Sequence, residues 1–423
     1  MVRNKQVLIV GSGGREHALA RQFAKSPQVK QVWVAPGNPG MEEEPSAAAA
    51  AIKCLTIGIT EFEKLAEFAM NEAIDVTFIG PEIPLNLGIV DYFNEKQLAV
   101  VGPTQQAAQL EASKTFAKEV MQRAGVKTAQ HQTFSAAQFN EAKAYLSQQD
   151  IPVVLKQDGL AQGKGVVIAE TMAEAQESLD LMMNDYHSDV VIEECLVGEE
   201  FSHFSLVNGD HIMSIGSACD YKRAFDGNQG PNTGGMGAFA PVDWVDEALN
   251  TEIETKILQP LSQQMLADGI PFTGVLYTGL MKTAKGLYVI EFNTRFGDPE
   301  TQILLPLLEV DLYDIVMAHL KQLPLEVKLS SEVSLGVVVA ARGYPKAFQQ
   351  GMPITVAADF PREQLFYAGV TAQSNRTELV SCGGRILMVT AQAGNKEACR
   401  QAVYQAIQAV DIPDSFYRGD IGL

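Results

Sequence analysis

Glu291, Asn293 and Arg295 stand at alternate positions of the stretch Val-Ile-Glu-Phe-Asn-Thr-Arg-Phe-Gly-Asp-Pro-Glu-Thr, residues 289–301. On a strand, period two places all three on one face, with Phe292 and Thr294 opposite. A carboxylate and an amide oxygen two residues apart supply two hard ligands suited to Mg²⁺. The guanidinium one step further can hold a carboxylate or phosphate through two parallel hydrogen bonds. The alternative is a core strand ending in a charged turn. Three polar groups on one strand face are costly to bury, however, unless something binds them. Leu287–Ile290 is apolar and β-branched, as a buried strand is, and Thr273–Met281 reads as its hairpin partner. Gly297 and Pro299 then end the strand.

Four further stretches have the composition of ligand sites. Gly11-Ser12-Gly13-Gly14-Arg15-Glu16-His17 follows the strand Gln6–Val10 and precedes a helical pattern over Ala18–Phe23. Strand, glycine turn and helix start together present backbone N–H groups to an anion. A dinucleotide fingerprint would need a third glycine where Glu16 stands and an acid after Val32-Trp33-Val34, where Ala35-Pro36-Gly37-Asn38 follows. The turn therefore reads as a phosphate site rather than an NAD site, with tight packing as the alternative. Asp158–Gly165 carries three glycines around Lys164 between the strands Ile151–Lys156 and Val166–Ala169. It lacks Walker A spacing and reads as a flap closing over phosphates, or as a plain flexible hairpin. Glu193-Glu194 and Glu199-Glu200 leave the strand that starts at Val190. Such acids can accept from an adenine amino group and ribose hydroxyls, or form a solvated loop. Gly230–Gly237 has four glycines in eight residues, which suits a substrate loop rather than a helix or plain strand.

These groups need elements to hold them. Residues 1–103 alternate strands with helices, including a helix over Glu61–Asn71 and strands Asp75–Ile79 and Leu98–Val101, which predicts an open parallel sheet. Ligands lie beyond the C-terminal ends of such strands, where Gly11–His17, Pro36–Pro39 and Gly80–Pro84 fall. Gln105–Ala124 is helical by pattern, with Lys114 midway. An apolar helix is expected from Thr301 to about Leu320. Residues 326–423 read as short strands (Ser334–Ala340, Arg385–Thr390) and a helix near Lys396–Val410, a packing domain that closes one side of the site and holds no catalytic cluster. The domain division is 1–104, 105–325 with a flap subdomain at about 125–192, and 326–423.

Of 423 residues, 46% are hydrophobic and 20% charged, as in a globular protein of several domains. A net charge of −19 argues against a nucleic-acid partner and leaves local Lys and Arg to attract any anionic substrate. No run reaches ~18 apolar residues, so no membrane partner is expected. Five scattered cysteines without CxxC spacing fit a reducing cytoplasm and argue against structural zinc.

Gly13–Leu19, Gly80-Pro81-Glu82, Lys156–Gly165, Gly230-Pro231-Asn232-Thr233-Gly234-Gly235-Met236-Gly237 and Arg295-Phe296-Gly297-Asp298-Pro299-Glu300-Thr301 occur in the order and spacing of one family. The chain resembles the phosphoribosylamine–glycine ligases (glycinamide ribonucleotide synthetases) of the ATP-grasp superfamily, from about residue 5 to Gly422. That resemblance implies an α/β multidomain fold: an N-terminal Rossmann-like open parallel sheet, central ATP-grasp α+β domains with a flexible flap, and a small mixed α/β C-terminal domain. It also implies a cytoplasmic, monomeric ATP-dependent ligase of de novo purine synthesis, which joins glycine to 5-phosphoribosylamine through glycyl phosphate. ATP would be co-substrate, with Mg²⁺ or Mn²⁺ on Glu291 and Asn293. Lys114, Lys156, Gly163 and Lys164 would meet the ATP phosphates, Glu193, Glu194 and Leu196 the adenine, and Glu200 the ribose. Arg295, Asp220 and Lys222 would stand at the reacting groups. Gly13, Gly14, Arg15, Glu16, Gly80, Pro81, Glu82, Asn232, Thr233, Gly234, Gly235 and Asp298 would hold the other substrates. The chain departs from the family pattern at Tyr221, where relatives often carry His, and at Gln157 and Gln162. Tyr277-Thr278-Gly279 also offers no additional metal-binding acid. Alternatives are an ATP-grasp ligase for another carboxylate and amine, or a non-catalytic nucleotide-binding regulator.

Overall fold

The computed structural model describes residues 3–44, 46, 48–160, 165–373 and 378–423. Five parallel strands open the chain: β1 (Lys5–Gly11), β2 (Val29–Pro36), β3 (Ala51–Cys54), β4 (Val76–Ile79) and β5 (Val100–Val101), in the order β3-β2-β1-β4-β5. Val7, Leu8, Ile9 and Val10 are all fully buried, because helices cover both faces of the sheet. Each such side chain contributes about 1.5–3 kcal/mol by leaving water. Gly11 pairs with Pro36 and Val10 with Ile79, so the glycine turn and the Gly80 turn leave the same sheet edge.

A four-stranded antiparallel sheet follows, from β6 (His131–Phe134), β7 (Val153–Gln157), β8 (Val166–Ala169) and β9 (Val190–Glu194) in the order β6-β9-β7-β8. Gly163 and Lys164, between β7 and β8, lie outside the described residues. The central sheet begins with β10 (Gly198–Asn208) and β11 (His211–Asp220). After the hairpin β12 (Arg223–Phe225) and β13 (Gln229–Asn232), it continues through β14 (Gly237–Ala240), β15 (Thr273–Thr283), β16 (Gly286–Asn293) and β17 (Val333–Ala341). Among the described residues its path runs β16-β15-β10-β11-β14-β17 and on through strands Arg385–Ala393 and Leu365–Tyr367. The carboxy-terminal strands thus join the central sheet edge to edge.

Local structure departs from the sequence reading in four places. The helix expected over 105–124 is two helices, Gln109–Ala112 and Lys114–Ala124. Ser113 Oγ accepts from the Phe116 N–H at 3.1 Å and so starts a new helix, which puts Lys114 in its first turn rather than midway. The helix expected from Thr301 to Leu320 is likewise two, Thr301–Leu304 and Leu312–Leu320, with Pro306 between them and Asp311 capping the second. Gln229–Asn232, within the glycine loop, forms a short strand against β12. Glu199 and Glu200, read as leaving a strand, begin β10.

Candidate active site

β16 pairs with β15 as anticipated, setting Tyr277 opposite Asn293 and Gly279 opposite Glu291. Burial alternates through Phe296: Phe292, Thr294 and Phe296 are buried, while Glu291, Asn293 and Arg295 are half-buried on the other face. Arg295 Nη2 donates to Asn293 Oδ1 at 3.2 Å and lies 3.0 Å from Glu111 Oε1. Its Nε is 3.6 Å from Glu82 Oε2 and makes no hydrogen bond, a buried donor left unused. Burial by itself would lower the Arg295 pKa, but Glu111 and Glu82 more than offset it and raise the guanidinium's affinity for its proton. Glu111 was missed in the sequence. Its side chain is 6% exposed and accepts from the Thr294 N–H at 2.7 Å, so it fixes the strand end as well as the arginine. Burial pushes its pKa up despite Arg295.

Lys114 and Lys156 converge with Glu291 and Glu193. Lys114 Nζ donates to the Gly159 carbonyl at 2.9 Å, and its N–H donates to Asp158 Oδ1 at 2.6 Å. Lys156 Nζ donates to the Ile290 carbonyl at 3.0 Å and lies 3.0 Å from Glu193 Oε2. Burial lowers the Lys114 pKa against the attraction of Glu291 and Asp158. Glu194 accepts from the Gln130 N–H at 2.9 Å, and Leu196 is half-buried between β9 and β10. Lys222 pairs with Glu200 and lies 3.4 Å from Asp220 Oδ1. Burial pushes the Asp220 carboxyl up, while Asp220 and Glu200 overcome the desolvation of Lys222 and hold its ammonium well above the ordinary value.

The glycine loop docks on the turn after β16. Thr233 Oγ1 donates to the Lys222 carbonyl at 2.9 Å and accepts from the Gly235 N–H at 3.0 Å. Gly235 has φ +108°, and a Cβ there would lie 2.4 Å from Pro299 Cδ, so both conformation and close approach require glycine. Asn232 pairs with Arg223 across the β12–β13 hairpin. Arg385, from a domain expected to hold no such group, donates through Nη1 to the carbonyls of Gly234 and Asp298, each at 2.6 Å, and lies 3.3 Å from Asp298 Oδ1. The carboxy-terminal domain thus reaches the glycine loop and the turn after β16 through a charged side chain. No local pattern around Arg385 signals this.

The amino-terminal turn meets the same elements. Arg15 Nη1 donates to the Phe296 carbonyl at 3.1 Å, and a Cβ on Gly14 would fall 2.5 Å from Gln302 Nε2. The N–H of Gly13 is not free for an anion as expected: Glu16 Oε2 accepts it at 2.6 Å, while Glu16 Oε1 binds Arg15 Nε at 2.5 Å. Glu16 fills the space between Gly11 and Gly80, where a Cβ on either would collide with its side chain. Gly80 donates to the Val10 carbonyl at 2.9 Å, and Pro81 stands before the helix Glu82–Asn86. Arg295 and Arg15 draw the Glu82 carboxyl below its usual range although burial opposes them.

Glu300, also missed, is 3% exposed and pushed up to about 7 by burial and then by the charge of Asp220. Tyr221, the departure from the family pattern, accepts from the Gly422 N–H at 2.9 Å and lies under the Arg418 guanidinium, which anchors the chain end. Among the described residues no group of three or more His, Cys, Asp or Glu is arranged to hold a metal. Glu291 and Asn293 still offer two hard oxygens on one face. That fits an ion that takes one or two protein ligands and completes its shell with phosphate and water.

Three family descriptions match in succession: phosphoribosylglycinamide synthetase N domain over residues 5–111, its ATP-grasp (A) domain over 112–301 and its C domain over 334–423. The chain is 45% identical over 426 residues to the phosphoribosylamine–glycine ligase of Streptococcus suis (99% of each chain covered) and 43% identical over 422 residues to that of Halalkalibacterium halodurans (98% of this chain, 96% of the relative). The crystal structure of phosphoribosylamine–glycine ligase from Thermotoga maritima superposes with TM-score 0.81 at 31% identity, covering 98% of this chain and 100% of that one. A Campylobacter jejuni biotin carboxylase, at 16% identity and TM-score 0.72, shares the fold over 98% of this chain and 93% of its own. With matches from residue 5 to residue 423 and site elements at the expected places, the chain belongs to the phosphoribosylglycinamide synthetase family.

Proposed function

We propose that this chain is an ATP-dependent ligase that joins glycine to 5-phosphoribosylamine, giving glycinamide ribonucleotide, ADP and phosphate. The observation that carries this reading is the convergence of Arg295, Glu291, Lys114, Lys156, Asp220 and Lys222 around one cleft, in a chain whose relatives are named for that reaction. A glycine carboxylate oxygen attacks the γ-phosphorus, the bond to the bridging oxygen of ADP breaks, and glycyl phosphate forms. The amine nitrogen of phosphoribosylamine then attacks the acyl carbon, the carbon–oxygen bond to phosphate breaks, and the nitrogen gives up a proton.

Lys114 and Lys156 meet the triphosphate, Glu193 to Leu196 line the adenine side, and Glu200 accepts from the ribose. Arg295, whose Nε is unused, stabilises charge on the transferring phosphoryl group. A divalent cation, Mg²⁺ or Mn²⁺, held by Glu291 and Asn293 would supply Lewis-acid charge neutralisation at the phosphates. Asp220 and Glu300, both raised by burial, are positioned to take the departing proton. Residues 1–104, with Arg15 and Glu82 at the cleft, hold phosphoribosylamine, while Gly13 and Gly14 let the turn pack closely against Asp298 and Gln302. Asn232, Thr233, Gly234, Gly235 and Asp298 frame the glycine side. No Ser–His or Cys–His nucleophile is called for.

The test is phosphate release with glycine and phosphoribosylamine supplied together and singly, with ¹⁸O in the glycine carboxylate. Release that needs both substrates and carries label into phosphate is expected. Release with another carboxylate and amine, or unlabelled phosphate, would overturn the reading.

A further inference from the structure

Behind the phosphate-facing lysine lies a buried three-charge cluster that the mechanism above does not use in full. Glu193 sits between two lysines: Lys156 Nζ is 3.0 Å from its Oε2, and Lys118 Nζ is 3.0 Å from its Oε1. Lys118, Glu193 and Lys156 are 3%, 4% and 5% exposed, so water does little to screen them. Each lysine is held from another side as well. Lys118 donates to Thr128 Oγ1 at 2.6 Å, that hydroxyl donates to the Val289 carbonyl at 2.8 Å, and Lys156 donates to the Ile290 carbonyl. Lys118 and Lys114 are four residues apart on the helix Lys114–Ala124, one turn on one face, so a single helix serves both the cleft and the cluster behind it.

With one carboxylate and one lysine, this pocket would be neutral and the charge of Lys156 would be spent on Glu193. The second lysine changes the sum. Two ammonium groups and one carboxylate leave one positive charge, fixed in a dry pocket beside Lys114. We propose that Lys118 is a positioning residue that holds Glu193 and leaves Lys156 with an uncompensated charge for the polyphosphate of the nucleotide. It touches no substrate and acts through Glu193. Burial lowers its pKa to about 8, against the pull of Glu193, so it keeps its proton at neutral pH. The proposal rests on the reading that ATP occupies this cleft.

Binding of ATP and of adenosine to the full-length protein, measured by calorimetry at pH 7 with Mg²⁺, tests it. Adenosine shares the base and ribose contacts but has no phosphates, so the ratio of the two affinities reports the cluster's charge. Lys118→Met is expected to weaken ATP about tenfold and adenosine less than about twofold, the scale of losing one charge a few ångströms away in a shielded pocket. Lys118→Arg restores the charge and should restore the ratio. The decisive comparison removes one charge of each sign. The double variant Lys118→Met/Glu193→Gln has the wild-type sum and is expected to regain the wild-type ratio, while Glu193→Gln alone should exceed it. The last two variants decide the matter even if Lys118→Met does not fold. Equal weakening of ATP and adenosine, or a ratio that ignores the cluster's charge, would overturn the proposal and leave Lys118 a packing residue. Wild-type protein that binds no ATP would instead overturn the functional reading.

Discussion

Glu291 is the residue on which the proposed chemistry most depends. It shares the cleft with Lys114, Asp220 and Lys222 closely enough to bias the charge of each. Glu291→Gln keeps side-chain volume and removes one ligand charge. It is expected to keep the melting temperature and lose turnover by about 100-fold, on the order of 3 kcal/mol of transition-state stabilisation. Steady-state kcat and a thermal melt check this, and near-normal kcat would remove Glu291 from the metal site. Arg385 works differently, because its hydrogen bonds go to the backbone carbonyls of Gly234 and Asp298, in the two segments proposed to frame the glycine side. Arg385→Gln strips the ion pair to Asp298 and should cost roughly tenfold to 100-fold in kcat/KM, the worth of one or two charge-assisted hydrogen bonds. A variant with unchanged kcat/KM and a lower melting temperature would make Arg385 a staple only.

At the scale of elements, the informative contact is between the amino-terminal glycine turn and the turn after β16. A Cβ at Gly13 would lie 3.1 Å from Glu16 Oε2 and 3.2 Å from Asp298 Oδ2, tight against two carboxylates that belong to different domains. The backbone there has φ −89°, so a side chain is tolerated by conformation and resisted by space. Gly13→Val is expected to raise the KM for phosphoribosylamine many-fold and to leave that for ATP within about twofold, since the lysines on the nucleotide side are not disturbed. Initial-rate measurements with each substrate varied in turn separate the outcomes. A rise for ATP equal to or above that for phosphoribosylamine would reverse the assignment of the two domains.

For the whole molecule, three buried histidines tie stability to pH. His17, His203 and His319 are at most 1% exposed, and burial lowers each to about 4 from 6.5. His319 carries the clearest penalty, since neither ring nitrogen has a hydrogen-bond partner. Each folded-state pKa lies below its unfolded value, so the unfolded chain binds protons first as pH falls. The stability these groups support is complete above about pH 6.5, declines as pH falls toward 4, and changes no further below that. Each contributes up to about 3 kcal/mol to that decline. The melting temperature should therefore fall between pH 6.5 and 4, and His319→Phe should flatten the fall. An equally steep fall in the variant would assign the acid sensitivity elsewhere.

What the sequence determined by itself was local and periodic. Alternation along 291–295 placed Glu291, Asn293 and Arg295 on one face, and the structure keeps that face, past a bulge at Ile290, even where the regular strand stops at Asn293. The glycine at 235 and the breaks around the Gly80 turn were legible for the same reason, since backbone conformation and side-chain period are properties of neighbouring residues. Capping was legible in principle and misread: Ser113 and Asp311 each start a helix that the apolar pattern alone ran together with the segment before it. What only the tertiary structure decided were pairings between distant segments. Glu111 against Arg295, Lys118 and Lys156 against one carboxylate, and Arg385 against Asp298 are all charge contacts whose partners no periodicity connects. The physical reason is desolvation. A buried charge costs several kcal/mol unless a partner is brought to it, and which partner arrives depends on how sheets and turns stack rather than on the residues next in sequence.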